Sequence, residues 1–446
     1  LVKQYTWADR EVGDNETNLI PSFVGKTVNK VLFFRNRLAF LSGDSVILSR
    51  AAKLDNFWAN TALTVSATDP IDIACSSEYP SELFDGVEIT SGLLCFSTNQ
   101  QFLLASDDTI FNPETAKLRT VSSYNYNKVI PPVSLGPTQA FIDNSGKYSR
   151  FMEVAGVNRE FQATVIESSL IVPSLLPKDI DLLASSRENR VVVLGKTDSD
   201  TVYFFRYTPV NQNRRDTAWY KWKFNNPLKY QFIINDVYYL LDTDNFLQSV
   251  SIVQDTGDPS IDQDNINYLL HLDNYTTVGS GSYSSTTNLT TFTNQSTWIP
   301  DVTTPNGTLV VVDSDSNTAR EGRYAEVTLT GNSPNDDFTV PGDWSSATVN
   351  IGYLYDYQVE LPTIYLTKQE GESFSSDING SLTIHRVKLS FGKIGLYDTT
   401  LTRVGKTTYN EIYESTTMDE YLVSDAPYLE EEIRAIPVYE KNTNVD

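Results

Sequence analysis

Apolar residues over the first 250 or so positions come in short alternating runs, not at helical spacing. Val31–Phe34 and Leu38–Leu41 flank Arg35-Asn36-Arg37, and a Gly43-Asp44 turn leads into Val46–Leu48. Runs of this length, rich in β-branched and aromatic residues and bounded by Gly, Asn and Asp, predict three short strands joined by tight turns. The theme then recurs. Gly92–Ser97 is set against Gln101–Ala105, Val191–Leu194 against Thr201–Tyr207 across Asp198-Ser199-Asp200, and Phe232–Asn235 against Val237–Leu241. The clusters fall near 28–50, 88–120, 138–165, 189–224 and 229–253. Their starts lie about 40–60 residues apart, the size of a propeller blade. A blade exposes apolar faces that neighbouring blades must cover, so several are expected to stack. No WD or kelch signature occurs, so the repeats are degenerate.

The pattern changes after Ile252. Residues 255–300 are rich in Thr, Ser, Asn and Asp, with Gly279-Ser280-Gly281-Ser282 at their centre, and predict loops and weak strands. Strands resume at Leu309–Val312, Tyr324–Leu329 and Val349–Tyr353, with clear alternation in Tyr357–Lys368 and Leu382–Leu389. A sandwich or jelly-roll-like layer is the expectation there. Helix candidates are few: Pro177–Glu188 and Tyr421–Ala435. The polar tail after Lys441 is expected to fray. The chain therefore reads as mainly β, a degenerate β-propeller-like body followed by a second β-rich region. Its segments are a lead-in (1–27), the propeller-like domain (28–253), an acidic Ser/Thr/Asn-rich β and loop region (254–380), and a C-terminal β segment with a short helix and the polar tail (381–446).

Composition sharpens this picture. Hydrophobic residues make up 40% of the 446 and aromatics 12%, which excludes wholesale disorder. No apolar run is long enough to span a bilayer as a helix. Net charge is −23, unevenly spread: Gly257–Gly380 holds 17 acidic residues against Arg320, Arg323 and Lys368. Such a field repels nucleic acid. It reads either as a solvated surface that keeps an assembly soluble or as a wall that DNA slides past. Cys75 and Cys95 lie in apolar, strand-like surroundings and read as two reduced thiols.

Candidate chemistry is sparse. His271 and His385 are far apart, and with two cysteines they do not make a zinc pattern. No G-x-S-x-G elbow accompanies a possible triad. Asp313-Ser314-Asp315-Ser316-Asn317 resembles the start of a calcium loop, but the sixth and twelfth places hold Thr318 and Tyr324, so a hairpin turn is expected. Arg35, Arg37 and Arg50 read as structural ion-pair partners. Arg35-Asn36-Arg37 and Arg214-Arg215 are too small for a nucleic-acid footprint. Walker A and dinucleotide fingerprints are absent. No catalytic, cofactor-binding or metal-binding residue is assigned, no cofactor is expected, and the chain reads as a non-enzyme.

Four strings within Pro21–Asp72 carry a resemblance: PSFVG, FFRNRLAFL, VILSRA and SATDPID, in that order and spacing. Together they closely resemble the tail tubular protein B family, the nozzle proteins of short-tailed T7-like bacteriophages. Tyr5-Thr6-Trp7 with Gly13–Asn18 is similar to the family's lead-in, and Thr201–Tyr207 followed by Ala218–Phe224 to its strand pair closing on paired tryptophans. About the first 255 residues carry the likeness. Family members are longer and begin upstream, so the chain is expected to lack an N-terminal portion. The resemblance implies a virion tail component, a homo-hexameric ring below the adaptor (portal-connector) ring. It would extend the DNA channel, support tail fibres, pass double-stranded DNA without sequence-specific binding, and meet the host cell envelope indirectly. Two other readings remain open. A glycan-binding β-propeller would need matched aromatic and Asn/Asp clusters in each blade. A polysaccharide-degrading tail enzyme would need one distinctive carboxylate pair. Neither feature stands out.

Overall fold

The computed structural model describes residues 6–77, 79–106, 111–156, 163–211, 214–252, 272–293, 307–314, 324–361, 363–370, 373–377, 380–391, 397–413 and 432–445. The chain divides into two compact units, Leu1–Gln254 and Asp255–Asp446. Among the described residues the structure is strand and turn, with one 3-10 turn at Asn442–Asn444 and no α-helix. The mainly β reading holds.

The first unit is a series of antiparallel sheets laid down in chain order. The first sheet comprises β1 (Lys30–Phe34), β2 (Arg37–Ser42), β3 (Ser45–Leu48) and β4 (Ile71–Ala74). The second comprises β5 (Leu83–Ile89), β6 (Gly92–Ser97), β7 (Gln101–Ser106) and β8 (Ala116–Ser122). The third has β9 (Val133–Ser134), β10 (Gln139–Asp143), β11 (Arg150–Ala155) and β12 (Thr164–Glu167). The fourth has β13 (Leu182–Ser186), β14 (Val191–Gly195), β15 (Thr201–Asn211) and β16 (Arg214–Lys223). The fifth is three-stranded: β17 (Leu228–Ile234), β18 (Val237–Asp242) and β19 (Leu247–Ser251). Tight turns make these meanders possible. Arg35 and Asn36 both take positive φ between β1 and β2, and Asn235 and Asp236 do so between β17 and β18. That is the backbone a two-residue hairpin needs.

Period-2 alternation explains how the sheets stack. In β6, Leu93 and Cys95 join a core with Phe34, Leu41, Val46 and Leu48 of the first sheet. The intervening Leu94 and Phe96 point the other way, into a core with Phe141, Met152 and Val154 of the third. Ala140, Ile142 and Phe151 of the third sheet then meet Val192, Leu194 and Phe205 of the fourth. Val193, Val202 and Phe204 on its opposite face meet Leu228, Tyr238 and Leu240 of the fifth. Each middle sheet is thus covered on both sides, which is why β6, β7 and β14 are buried along their whole length. This is the blade-like stacking expected of a degenerate propeller. The outer face of the first sheet is covered by the lead-in and by Phe57: Phe40 stacks on Phe57 at 5.0 Å, with Phe23 edge-on to both.

The second unit pairs its strands at long range. β20 (Asp273–Val278), β21 (Ser282–Ser284), β22 (Leu289–Phe292), β23 (Leu309–Asp313), β24 (Tyr324–Glu326), β25 (Thr328–Leu329), β26 (Phe338–Pro341) and β27 (Val349–Tyr353) form two sheets. Their orders are β20-β27-β23-β24 and β21-β22-β26-β25. They share a core of Val278, Val311, Val349 and Ile351 against Phe292, Phe338 and Val340, with buried Trp344. Beyond it lie the hairpin β28 (Leu366–Glu370)–β29 (Ser373–Asp377) and three longer-loop strands, β30 (Thr383–Phe391), β31 (Tyr397–Leu401) and β32 (Tyr409–Tyr413), before the final β33 (Glu432–Lys441). β30 pairs with β33 and β31 with β32, and a small core of Val387, Leu389, Leu401, Ile436 and Val438 joins the pairs.

Several expectations need correction. Pro177–Glu188 is not a helix: its Leu182–Ser186 is β13, and Ile180 is buried in the core between the third and fourth sheets. Of Tyr421–Ala435, residues 421–431 lie outside the described residues, and 432–435 open β33. The tail does not fray after Lys441. Asn442 is buried, its backbone N–H donates to Leu382 O, and Val404 N–H donates to Asn444 O.

Candidate functional site

The Pro21–Asp72 block folds into a self-locked cluster around Arg37. Arg37 as a residue is 2% exposed, and its guanidinium is the hub. It donates to the backbone oxygens of Ser49 (2.8 Å), Asp69 (2.6 Å) and Ala67 (2.9 Å). Burial pulls its pKa down and the Asp69 charge opposes that shift. Asp69 in turn accepts from the backbone N–H groups of Asn60 and Ser66, and Asp72 from Ser22. FFRNRLAFL therefore supplies a strand, a turn and an anchor that pins the 49–70 loop. The ion-pair reading of Arg35 and Arg37 is corrected accordingly. Arg37 binds carbonyls, and Arg35 lies over the rings of Phe34 (5.5 Å) and Phe111 (5.1 Å). A carbonyl cage disperses the charge where no buried carboxylate contact is formed.

The paired tryptophans have an equally structural place. Trp219 and Trp222 lie on opposite faces of β16. Trp219 packs on Phe151 and Phe205 toward the third sheet and donates its indole N–H to Ser168 O at 3.0 Å. Trp222 packs on Phe204 and Tyr238 toward the fifth. The side chains of Arg214 and Arg215 lie outside the described residues.

Titratable groups show the same economy. Cys75 and Cys95 are free. Burial, aided by Asp44, pushes the Cys75 thiol up to about 12, and burial pushes Cys95 well above its ordinary value. Asp313 is buried at the end of β23, a strand that pairs with β24, while 315–323, where the hairpin turn is expected, and His271 lie outside the described residues. His385 is edge-on to Tyr439. Among the described residues no three or more His, Cys, Asp or Glu side chains are grouped as a metal site would require. A cleft of about 420 Å³ beside β3 and β4 is lined by Leu19, Ile20, Ile47 and Phe57, and its carboxylate, Asp72, is already held by Ser22. Among the described residues these arrangements hold a scaffold together.

The surface carries the remaining signal. Residues 255–446 hold 29 acidic against 10 basic residues. Glu326, Asp343, Asp356 and Glu360 are exposed. The strand expected from Tyr357 to Lys368 is also corrected. β28 begins only at Leu366, and residues 354–361 pair with no strand, although Tyr357, Val359 and Leu361 are exposed. Alternation in sequence registers fitness for a sheet, and among the described residues no strand edge receives it.

Over residues 1–446 the chain matches the family described as bacteriophage nozzle protein, and it belongs to that family. It is 28% identical over 418 residues to the tail tubular protein gp12 of Escherichia phage T7, covering 89% of this chain and 50% of that one. The chain thus spans about half the length of that curated relative. Among solved structures it is similar to the WD40 domain of Toxoplasma gondii coronin, at a TM-score of 0.33 and 10% identity over 52% of this chain and 57% of that one. Kluyveromyces lactis Hsv2 gives a TM-score of 0.33 and 8% identity over 71% and 86%. Membership of the nozzle family places the chain in the virion tail as a structural component.

Proposed function

We propose that six copies of this chain form a nozzle ring below the adaptor ring of a short tail, extend the DNA channel, support tail-fibre attachment and take part in genome ejection. The protein works mechanically in this reading, with no catalytic step. The observation that carries it, given the family, is the charge division between the units. A chain with one acidic unit and one nearly balanced unit suits a passage in which DNA must not adhere, because each basic contact to phosphate adds attraction. Stacked sheets locked by buried aromatics suit a wall under load. A closed ring also requires two different faces on each subunit.

The test combines imaging with charge reversal. Intact tails imaged at high resolution should show the chain as a six-membered ring around the channel. Glu326, Asp337 and Asp343 replaced together by Lys should leave assembly intact and slow genome release. The slowing should be strongest at low salt, because screening shortens the Debye length to about 8 Å at physiological ionic strength. Asp313 is unsuitable for this reversal because it is buried. Release unchanged at every salt concentration would mean that the acids only solubilise an outer surface.

A further inference from the structure

We propose that residues 356–361 add as a strand to the free edge of β30 in a second copy of this chain. The segment reads Asp356-Tyr357-Gln358-Val359-Glu360-Leu361, strictly polar then apolar. Tyr357 is 84% exposed, Val359 60% and Leu361 49%. A strand with one apolar face is stable only when that face is covered and its backbone is paired. Among the described residues neither holds: Leu354 N–H donates to Thr308 O just before the segment, and 356–361 join no strand.

β30 presents the complementary surface. Among the described residues it is hydrogen-bonded on one side only, to β33. Val387 and Leu389 point toward the small core, while Arg386, Lys388 and Ser390 are exposed on the other face. A strand laid along this edge continues both faces at once. Laid parallel, with Val359 beside Val387 and Leu361 beside Leu389, the strand sets Glu360 opposite Lys388 and Asp356 on the diagonal to Arg386. Opposite charges and apolar pairs across neighbouring strands are the unit of sheet stabilisation, and strand addition to an open edge is a recurring mode of association.

The occupant is another copy because the segment is tethered at both ends in its own. Leu354 is bonded to Thr308, and Asn442 Nδ2 donates to Ile364 O at 2.9 Å. Donor segment and acceptor edge are different surfaces, so the contact is head-to-tail and repeats from copy to copy. It rests on the ring reading only for closure into a fixed number of subunits.

The experiment uses the full chain, alone at high concentration and in purified tails. Asp356→Lys with Glu360→Lys in one copy, and Arg386→Glu with Lys388→Glu in another, should each weaken self-association about tenfold. Mixing the two should restore it, because every contact in the mixed assembly again joins opposite charges. Val359→Pro should weaken association to a similar extent without lowering the melting temperature, since the segment bears no load within its own chain. Hydrogen exchange should show 356–361 and β30 becoming protected together on association. Three results would each overturn the proposal. One is exchange-open 356–361 amides in assembled tails. Another is weakening by the swaps that mixing does not repair. The third is protection already present in the dilute monomer, which would mean addition within one chain. A ring imaged in tails whose 356–361 amides stay open would sink this contact and leave the ring reading standing. Strand addition without a ring would do the reverse.

Discussion

Residues 1–254 carry 28 acidic and 24 basic side chains, whereas residues 255–446 carry 29 and 10, so the second unit holds most of the net charge of −23. The same division appears in how strands find partners. In the first unit every sheet is built from consecutive strands, and the middle sheets bury both faces by stacking on their neighbours. In the second, β20 reaches β27 and β22 reaches β26, and the two sheets close on one core. Ion pairs of the first unit tie strands together: Arg150 of β11 meets Asp143 of the neighbouring β10 at 2.5 Å, and Lys30 of β1 meets Asp85 of β5 in the next sheet at 2.8 Å. Among the described residues the sandwich core holds ten buried hydrophobic residues, in a unit whose sequence is acidic and rich in Ser and Thr. The first unit is organised for internal cohesion and the second for what surrounds it.

If the units cohere separately, a cavity in one should leave the other standing. Phe205 is fully buried, 4.9 Å from Phe151 and 4.8 Å from Trp219. Phe338 is fully buried and stacked on Phe292 at 5.1 Å in the sandwich. Truncating either to Ala should cost about 3–5 kcal/mol, the transfer term plus the cavity left behind. The Phe205→Ala chain should lose the Trp219 and Trp222 fluorescence signal at lower denaturant while Trp344 holds, and Phe338→Ala should do the opposite. Loss of both signals together in either variant would break the division into units.

A second test asks whether the first unit depends on polar as well as apolar locking. Arg37→Met keeps much of the side-chain volume but leaves the oxygens of Ser49, Ala67 and Asp69 without their donor. Bonds to a charged group are each worth more than neutral ones, and stranded buried acceptors keep their desolvation cost. Destabilisation of about 3 kcal/mol is expected, read as a lower unfolding midpoint, with cleavage in the 49–70 loop by added protease. A loss within about 0.5 kcal/mol, the range of ordinary surface substitutions, would show that aromatic packing alone holds the block.

Gly92 probes how tightly strands are drawn together in the first unit. A Cβ there would lie 2.2 Å from Leu104 O and 3.1 Å from Leu104 C, both backbone atoms. Gly92→Ala must therefore push β6 from β7, at an overpacking cost of about 1–3 kcal/mol. Gly279, in the second unit, has open space at the same atom, and Gly279→Ala should leave the unfolding midpoint unchanged within error.

What was legible in the sequence follows from the same contrast. Short alternating runs separated by Asn and Asp turns are self-sufficient signals when each strand pairs with the next, so the clusters from Val31 to Leu241 could be read as blades. The pairing of Val278 with Val349 or Phe292 with Phe338 leaves no local trace, so only the presence of a sandwich-like layer could be expected. Pro177–Glu188 reads as helical because a short apolar run, Leu182–Ala184, flanked by charged residues fits both periods. Arg37 gave a charge and a strand position but no hint of a carbonyl cage, since its acceptors are backbone atoms that any residue supplies. Tyr357–Leu361 shows its alternation plainly; what it does not show is that no described strand of the chain pairs with it.

The smallest expected effect concerns how the second unit secures its end. Where the first unit buries a hydrophobic side chain, here Glu440 accepts from Lys406 Nζ at 2.7 Å, from its neighbour Lys441 N–H at 3.0 Å and from Asn444 Nδ2 at 3.5 Å. The Lys406 hydrogen bond leads in holding the carboxyl down at about 2, well below its ordinary value. A carboxyl whose pKa is lower folded than unfolded contributes stability that is present above the unfolded value, about 4.3, and is lost as pH falls toward the folded one. The terminal turn should therefore hold unchanged from neutral pH to about pH 4.5 and loosen between there and pH 2. The Val404 amide, bonded to Asn444 O at 2.9 Å, is the reporter. Its exchange protection, corrected for intrinsic rate, should fall across that window. Glu440→Gln, which cannot titrate, should show weaker protection that does not change with pH. Matching profiles in the two proteins would mean that buried Asn442 and Val438, not charge, fasten the end, and the contrast between a packed first unit and a charge-held second would lose its last support.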